Sequence, residues 1–102
     1  MHKITGLYGT PTDPEHFRQY YLETHLPLAE KLPGIRSMDY SFEVDLLGEG
    51  EAYFCVWTGV FDDAAAADAA LQSPEGAAVA ADTANYATGG LTLIRYTSKE
   101  FS

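Results

Sequence analysis

The chain has 102 residues, near the low end of the usual domain range, and we expect a single domain over residues 1–102. Its formal net charge of −9 argues against nucleic acid and anionic membrane surfaces as partners, because both require cationic contacts. The one cysteine, Cys55, excludes an intrachain disulfide and a cysteine-based zinc site. No run approaches about 18 apolar residues and no secretory signal is evident, so we expect a cytoplasmic protein.

The first half of the chain predicts a strand followed by a helix that a proline interrupts. Residues 4–9 carry β-favouring side chains and run into a proline-rich loop. Asp13 is predicted to cap the helix that follows. Pro27 has no N–H, and its ring clashes with the carbonyl of Glu23 in a regular helix. We therefore expect the helix to kink or break there, leaving a second short piece over residues 27–32.

The second half predicts three strands and two helices. Residues 35–46 alternate in polarity, with Met38 and Tyr40 on one side and Ser37 and Asp39 on the other. The remaining predicted elements are a hairpin-type connection at 48–50, a strand over 52–61, a helix capped by Asp62 or Asp63 and ending near Gln72, a helix from Pro74 to about residue 87, and a strand over 91–97.

Strands and helices in this order predict an α+β fold of the ferredoxin-like βαββαβ kind. It would have a four-stranded antiparallel sheet with helices on one face. Tyr, Trp, Phe and Met residues are the candidates for the side chains of the opposite face. No further segment of the sequence remains to cover that face. Because an exposed apolar face of that size normally marks an interface or a ligand site, we expect a homodimer formed through it.

The densest motif is the segment DPEHFRQYYLETHLPLAEKLPG at residues 13–34, which follows a strand leading into Tyr8. It resembles the EthD-like family, within the dimeric α/β-barrel superfamily. The matching positions after Tyr8 are Asp13-Pro14-Glu15, Phe17, Tyr20-Tyr21, His25, Pro27-Leu28 and Pro33-Gly34.

The resemblance implies a homodimer whose two sheets pack into a barrel, with a cavity between each sheet and its helices. Relatives in the superfamily include muconolactone isomerases, polyketide cyclases and cofactor-independent monooxygenases of aromatic polyketides. The family takes its name from a protein linked to ether-degrading cytochrome P450 systems. Many members are also described as reductases, but this chain carries no nicotinamide or flavin motif, and we expect no cofactor.

His25 is the first candidate for chemistry. It lies on the edge of a predicted buried stripe with Tyr21 and Leu28, close to the expected helix break. Free carbonyls at a helix end favour imidazolium while burial favours imidazole, so the two effects predict a pKa near neutrality. The alternatives are a general base or acid and a histidine that only caps those carbonyls. Since a histidine at this place is a proposed proton-transfer residue in related isomerases and cyclases, the resemblance implies that role for His25.

Tyr40 is the second catalytic candidate, because its phenol could hydrogen-bond a carbonyl or an enolate. In the related isomerases the tyrosine lies about two residues nearer the Pro-Gly, where this chain has Met38. A core tyrosine with its hydroxyl at the rim is the alternative. The candidates for lining an apolar substrate pocket, each with plain core or dimer packing as its alternative, are Tyr8, Tyr21, Met38, Phe54 and Trp57.

The other reactive side chains are weaker candidates for a functional site. Cys55 has no cationic neighbour in sequence and is expected to be an inert buried thiol. Arg36 either neutralises a carboxylate substrate or has a surface role. His2 and His16 are too dispersed to form a metal site with His25, and no metal is predicted.

Three hypotheses remain open at this point. The first is a small cofactor-free enzyme that moves a proton on an aromatic, lactone or polyketide-like molecule, through His25 and a tyrosine. The second is a non-catalytic dimer that binds a hydrophobic metabolite or assists a partner oxygenase. The third is a cofactor-independent oxygenase whose substrate carbanion reacts with oxygen directly. A cavity with polar groups converging on His25 favours an enzyme, and a collapsed, dry interior favours the second hypothesis.

Overall fold

The computed structural model describes residues 1–101, and it confirms the predicted α+β order of elements; Ser102, the last residue of the predicted domain, lies outside the described residues. The strands are β1 (His2–Tyr8), β2 (Ser37–Ser41), β3 (Cys55–Phe61) and β4 (Leu91–Thr97). The helices are α1 (Pro14–Tyr20), a π-helical turn (Tyr21–His25), α2 (Leu26–Glu30), α3 (Ala64–Gln72), α4 (Pro74–Asp82) and a 3-10 turn (Thr83–Asn85). The four strands form one antiparallel sheet in the order β2-β3-β1-β4, which is the ferredoxin-like arrangement.

Three of the helices have an N-cap residue whose side chain accepts a hydrogen bond from the first turn. Asp13 accepts a hydrogen bond from the backbone N–H of His16 at the start of α1, and Asp63 accepts one from Ala66 at the start of α3. Ser73 caps α4 in the same way. A capping oxygen satisfies one of the backbone donors that a helix leaves unpaired at its first turn. The predicted cap at Asp13 is therefore confirmed, and of the two candidates Asp62 and Asp63 the cap of α3 is Asp63.

A kink or a break was expected at Pro27, and the break is wrong, because the chain stays helical from Pro14 to Glu30. The helix accommodates Pro27 by widening into the π-helical turn, in which the N–H of Leu26 bonds to the carbonyl of Tyr21 five residues earlier. His25 consequently lies inside a continuous helix and not beside free terminal carbonyls. His25 therefore does not cap free carbonyls, and the predicted stabilisation of its imidazolium form by a helix end does not apply.

Two strands are shorter than predicted. β2 pairs with β3 only over Ser37–Ser41, although the alternating pattern extends over residues 35–46. β3 begins at Cys55 rather than near residue 52. An alternating pattern describes which side chains can share a face, but a strand also requires a neighbour for its backbone hydrogen bonds. Residues 42–54 leave the sheet and form the connection between β2 and β3.

The sheet register fixes which side chains face the helices. Trp57 pairs with Tyr40 on one side and with Gly6 on the other, and Met38 pairs with Gly59. Since directly paired residues share a face, Trp57, Tyr40 and Met38 all lie on the helix-covered side. The expectation that Trp and Met side chains line the opposite face is therefore wrong. The apolar residues of that open face are Leu7, Val56, Val60, Ile94 and Tyr96.

The core lies between the sheet and the helices, and it is strongly aromatic. Phe17 and Tyr21 of the first helix are fully buried and stack on each other with ring centres 5.3 Å apart. Tyr8 of β1 meets both rings edge-on. The Ala67 and Ala70 side chains of α3 are fully buried, and their small size lets this helix lie close to the sheet. The core therefore places its large rings under the first helix and its small side chains under α3.

Candidate functional site

A buried carboxylate lies where the end of α4 packs against the first helix. The Asp82 side chain accepts a hydrogen bond through Oδ2 from His25 Nδ1, at 2.9 Å. Its Oδ1 accepts from the Tyr20 hydroxyl at 2.6 Å and from the side-chain amide of Asn85 at 3.0 Å. His25 is 3% exposed and Asp82 8% exposed. Three donors therefore hold one carboxylate in a single orientation inside the protein.

The π-helical turn explains how Tyr20 and His25 reach the same carboxylate. In a regular α-helix, residues five apart point about 140° away from each other, at about 100° per residue. The wider turn at Tyr21–His25 brings the two side chains onto one side of the helix. The proline-containing motif thereby positions the histidine through the shape of the helix and not by ending it.

Burial and hydrogen bonding set the charges of the pair. Burial lowers the pKa of His25 below its ordinary value, and the nearby Asp82 carboxylate offsets only part of that effect. For Asp82, burial raises the pKa, but the hydrogen bonds from Tyr20, Asn85 and His25 outweigh it and hold the pKa below its ordinary value. The pair is therefore a neutral imidazole beside an ionised carboxylate at neutral pH. Since this carboxylate sits at the C-terminal end of α4, where the helix dipole disfavours negative charge, its three donors are needed to keep it ionised.

The partner of each ring nitrogen defines the tautomer of His25. The Asp82 carboxylate can only accept, so Nδ1 carries the proton and Nε2 has a free lone pair. Within residues 1–101, Nε2 has no hydrogen-bond partner. A neutral imidazole whose Nδ1–H is held by a carboxylate is oriented to accept a proton through Nε2. The geometry would therefore allow Nε2 to accept a proton from a molecule beside it.

An apolar cavity of about 90 Å³ lies beside His25, between the sheet, α2 and α4. Leu71 and Leu93 at its rim are 45% and 57% exposed, so the opening lies between α3 and β4. An enclosed cavity of about 150 Å³ holds a benzene ring, so this smaller space would hold a single small ring only if part of the ring extended into the opening. The lining residues are Ile4, Tyr8, His25, Ala29, Leu32, Trp57, Leu71, Gly76, Val79, Ala80, Thr83, Leu91 and Leu93.

Three tyrosines, Tyr8, Tyr21 and Tyr86, form the aromatic wall next to His25. The hydroxyl groups of Tyr8 and Tyr86 are hydrogen-bonded to each other at 2.7 Å. The ring of Tyr86 lies 4.6 Å from the His25 ring, centre to centre, and Tyr21 stacks on His25 at 5.4 Å. Burial raises the pKa of Tyr8 and of Tyr86, so both hydroxyls are neutral. The wall therefore supplies packing and a fixed orientation for the imidazole without adding charge.

The structure brings only part of the predicted pocket set together. Tyr8 and Trp57 line the cavity with His25. Tyr21 is buried behind the histidine ring and does not line the cavity. Phe54 instead packs edge-on against Phe17 at 5.0 Å. Met38 lies in a separate surface depression, next to Arg36.

Tyr40, the predicted partner of His25, is placed away from the cavity. Its ring is 45% exposed and contacts Tyr21 and Phe42 at 6.2 and 5.4 Å between centres. The Tyr21 ring lies between Tyr40 and His25. Tyr40 does not line the cavity, so its catalytic role stays a prediction without a contact to support it.

The surroundings of three other reactive side chains indicate a structural role for each of them. Cys55 is a buried free thiol, and burial raises its pKa to about 12, which makes it a poor nucleophile. Arg36 pairs with Asp62 at the surface through two hydrogen bonds of 2.7 and 2.9 Å. His2 is buried against β4, where its Nε2 accepts a hydrogen bond from Arg95. Within residues 1–101, no three metal-ligating side chains lie close enough together to hold a metal ion.

Sequence reasoning missed Asp82 and its companions Tyr20 and Asn85. One signal was available: Asp82 follows Ala80 and Ala81, and Asn85 comes three residues later, on the same side of a helical segment. A charged side chain in an otherwise apolar stretch near a helix end requires a partner, but the chain alone does not indicate which one.

Fold and site together define a ferredoxin-like α+β protein with a buried His-Asp pair beside an apolar cavity. The EthD domain model matches residues 9–90, and the chain therefore belongs to the EthD family, as its motif predicts. The chain is 33% identical over 100 residues to an uncharacterized 11.0 kDa protein in the thcB-thcC intergenic region of Rhodococcus erythropolis. That match covers 98% of this chain and 96% of the relative.

Solved structures support the same assignment. An ethyl tert-butyl ether d (ethd) family protein from Bacillus halodurans superposes with a TM-score of 0.87 at 29% identity, covering 97% of this chain and 99% of the other. A dimeric ferredoxin-like protein of unknown function from Thermobifida fusca superposes with a TM-score of 0.70 at 14% identity, covering 95% and 90%. At that low identity the second match shows the fold alone. Across residues 1–101, none of the helices has the length and apolarity required to cross a bilayer.

Proposed function

We propose that this EthD family protein is a cofactor-free enzyme that uses His25 as a general base on a small apolar molecule bound in the cavity. The observation that carries the proposal is the 2.9 Å bond between His25 Nδ1 and the Asp82 carboxylate. It leaves Nε2 as the proton acceptor, at the wall of an apolar space. The reaction class is proton transfer at carbon, as in an isomerisation or a cyclisation, or the carbanion-forming step of a cofactor-independent oxygenation.

The electrostatics of the pair support this chemistry. When Nε2 accepts a proton, the new imidazolium faces the Asp82 carboxylate at hydrogen-bond distance. The carboxylate stabilises the charge that forms during the reaction, and the burial of both groups strengthens that attraction. Because burial lowers the pKa of His25, the base is already neutral near pH 7 and need not lose a proton first.

The size of the cavity restricts the substrate. Pockets for drug-sized ligands are typically about 300–1,000 Å³, several times larger than the space of about 90 Å³ beside His25. A single small ring would extend in part into the opening beside Leu71 and Leu93, and a longer molecule would have to extend further out of it. A lactone or a small ring compound therefore suits the site better than a multi-ring polyketide.

An isomerisation assay tests the proposal. The probe is α-angelica lactone, whose double bond migrates when a proton is removed from one ring carbon and returned to another, with no net change in composition. Replacing His25 with Gln should lower the protein-accelerated rate by about 10²–10⁴-fold. Glu23→Gln is the matched control, because Glu23 is an exposed acid in the same helical turn.

Equal rates for the wild-type protein and the His25→Gln variant would contradict the proposal. Saturable binding of the lactone without acceleration would support the non-catalytic alternative.

We also propose that the protein is a homodimer formed through the open face of the sheet. Leu7, Val56, Val60 and Ile94 lie on this face. At its centre the hydroxyls of Thr5 and Thr58 are hydrogen-bonded to each other at 3.1 Å. Lys3 and Asp39 are the charged residues of the same face, and the apolar side chains around the threonine pair are the part that a second copy would bury.

A further inference from the structure

The Asp82 carboxylate accepts hydrogen bonds at both of its ends. The His25 Nδ1–H donates to Oδ2 at 2.9 Å, and the Tyr20 hydroxyl donates to Oδ1 at 2.6 Å. The side-chain amide of Asn85 donates to the same Oδ1 at 3.0 Å and to the Tyr20 oxygen at 3.2 Å. All of these protons point inward, toward the carboxylate. Within residues 1–101, the hydrogen-bond chain behind His25 therefore ends at Asp82 and cannot pass a proton on to solvent.

The other ring nitrogen of His25 can be reached from the cavity. Nε2 has no hydrogen-bond partner within residues 1–101. In that same part of the chain, the fully enclosed side-chain atoms without a partner are the Tyr21 hydroxyl oxygen and the Trp57 Nε1, and His25 Nε2 is not one of them. Since His25 lines the cavity, a molecule bound there can meet Nε2. It is the nitrogen that accepts the substrate proton in the proposed function.

The other polar side chains that line the cavity cannot take a proton from His25. The Tyr8 hydroxyl is paired with that of Tyr86 at 2.7 Å. The Thr83 hydroxyl donates to a backbone carbonyl of the preceding turn at 2.7 Å. Trp57 carries a donor and no acceptor. Neutral hydroxyl groups and an indole are not bases near neutral pH, so none of them removes the proton from an imidazolium.

A bound ring leaves no room for water beside Nε2. The cavity of about 90 Å³ is smaller than the space of about 150 Å³ that encloses a benzene ring, so a ring would fill it and occupy part of the opening beside Leu71 and Leu93. A water molecule takes up about 30 Å³ in the liquid and requires at least two polar partners when buried. Neither the space nor the partners remain once a ring is bound. The bound molecule is then the one group to which Nε2 can return a proton.

We infer that the proton which His25 Nε2 takes from the bound molecule returns to that molecule at a second carbon, and that the substrate is a β,γ-unsaturated carbonyl compound. This inference rests on the proposed function and selects isomerisation among its reactions. The C–H bond at the α carbon breaks, its proton forms an Nε2–H bond, and its electron pair spreads over the carbonyl oxygen and the α and γ carbons as a dienolate. The γ carbon then takes the proton, which moves the double bond and restores the lone pair of Nε2. One base can serve both carbons, because a single atom separates them.

Isotope transfer tests the inference. The probe is α-angelica lactone deuterated at both α-hydrogens, which is converted in ordinary water to the α,β-unsaturated lactone and analysed by ²H NMR. With the wild-type protein, most product molecules should carry deuterium at the γ carbon, whereas the uncatalysed reaction takes that hydrogen from water. Leu93→Ala widens the opening and admits water beside the ring, so part of the deuterium transfer should be lost while the acceleration persists. Leu46→Ala is the matched control, because Leu46 is also an exposed leucine but does not line the cavity.

The outcomes separate this inference from the proposed function. If His25→Gln abolishes the acceleration but the wild-type product carries only hydrogen from water at the γ carbon, the return of the proton is overturned and His25 remains the base. Equal deuterium transfer by the wild type and by His25→Gln would show that another group carries the proton, which overturns both. A wild-type protein that does not accelerate the conversion overturns both as well. Undiminished transfer in Leu93→Ala would overturn the exclusion of water as the cause of the return.

Discussion

His25 Nδ1 lies 2.9 Å from Asp82 Oδ2, although the two residues are 57 positions apart in the chain. The bond joins the middle of the first helix to the last residue of α4, so it ties together the two helical segments that cover the sheet. Both side chains are buried, and neither has another group of opposite charge beside it within residues 1–101. The pair is therefore the electrostatic centre of the candidate site and also a link between its two walls.

Replacing Asp82 with Asn should lower the lactone isomerisation rate by at least about 10²-fold, because the amide cannot stabilise an imidazolium. The Asn side chain has nearly the same shape, and its oxygen can still accept from Tyr20, but its NH2 group faces His25 Nδ1 and favours the tautomer that carries the proton on Nε2. The measurement is the rate across a pH series, together with the free energy of unfolding by urea. A variant that unfolds like the wild type and keeps its full rate would show that Asp82 is structural only.

The stability of the protein should decrease as the pH falls below 6.5, which is the ordinary pKa of a histidine side chain. The folded-state pKa of His25 is lowered, so the unfolded chain binds a proton there more readily than the folded chain does. The contribution of His25 is fully present above pH 6.5 and is lost as the pH falls from 6.5 to the lowered folded-state pKa. Asp82, whose pKa is also lowered, loses its contribution at more acidic pH, below its ordinary value of 3.8.

Urea unfolding at about pH 7.5 and about pH 5 tests this expectation. The His25→Gln variant should lose less stability between the two conditions than the wild type does. His16→Gln is the control, because His16 is exposed and lies on the same helix. A wild-type pH dependence in the His25→Gln variant would mean that another group controls stability in this range.

Replacing Pro27 with Ala should weaken the His25-Asp82 bond. The added N–H and the removed ring permit a regular α-helical turn in place of the π-helical one, and that change rotates His25 away from the carboxylate. The downfield Nδ1–H resonance of His25 in proton NMR reports this bond. An unchanged resonance would show that the packing of Tyr21 and His25, and not the proline, maintains the wide turn.

The effects of Tyr8→Phe and Tyr86→Phe on the free energy of unfolding should be strongly non-additive. Replacing either tyrosine with Phe leaves the partner hydroxyl buried and unpaired, and each single change should cost about 1–3 kcal/mol of unfolding free energy. The double Phe variant removes both hydroxyls at once, and it should be more stable than the sum of the two single changes predicts. Urea unfolding of the four proteins measures the coupling. Strict additivity would mean that the two hydroxyls do not depend on each other.

The proposed dimer should be disrupted by a charge at the centre of the open face. Thr58→Arg places a cation between Val56 and Val60 and opposite Asp39, where a second copy would have to bury this pair of charges. Gln72→Arg adds the same charge at an exposed position at the end of α3 and serves as the control. Analytical ultracentrifugation should show a dimer for the wild type and the control, and a monomer for Thr58→Arg. A monomeric wild-type protein at micromolar concentration would contradict the proposal.

The sequence alone was sufficient for the features that depend on neighbouring residues. The caps at Asp13 and Asp63, the strand at Leu91–Thr97 and the EthD motif around His25 were all predictable, because capping, propensity and motif spacing act over a few positions. The order of elements also predicted the βαββαβ fold, since few topologies can join such elements.

Only the tertiary structure decided the partners of these elements. The carboxylate of His25 comes from an alanine-rich helix 57 residues away, and no local pattern links the two. The register of β3 against β1 turned Trp57 toward the helices and the cavity, whereas a shift of one residue would have placed it on the open face. The helix accommodated Pro27 through a π-helical turn, and no local pattern in the sequence distinguishes that outcome from a break. Long-range packing, which composition and spacing do not encode locally, therefore assembled the candidate site.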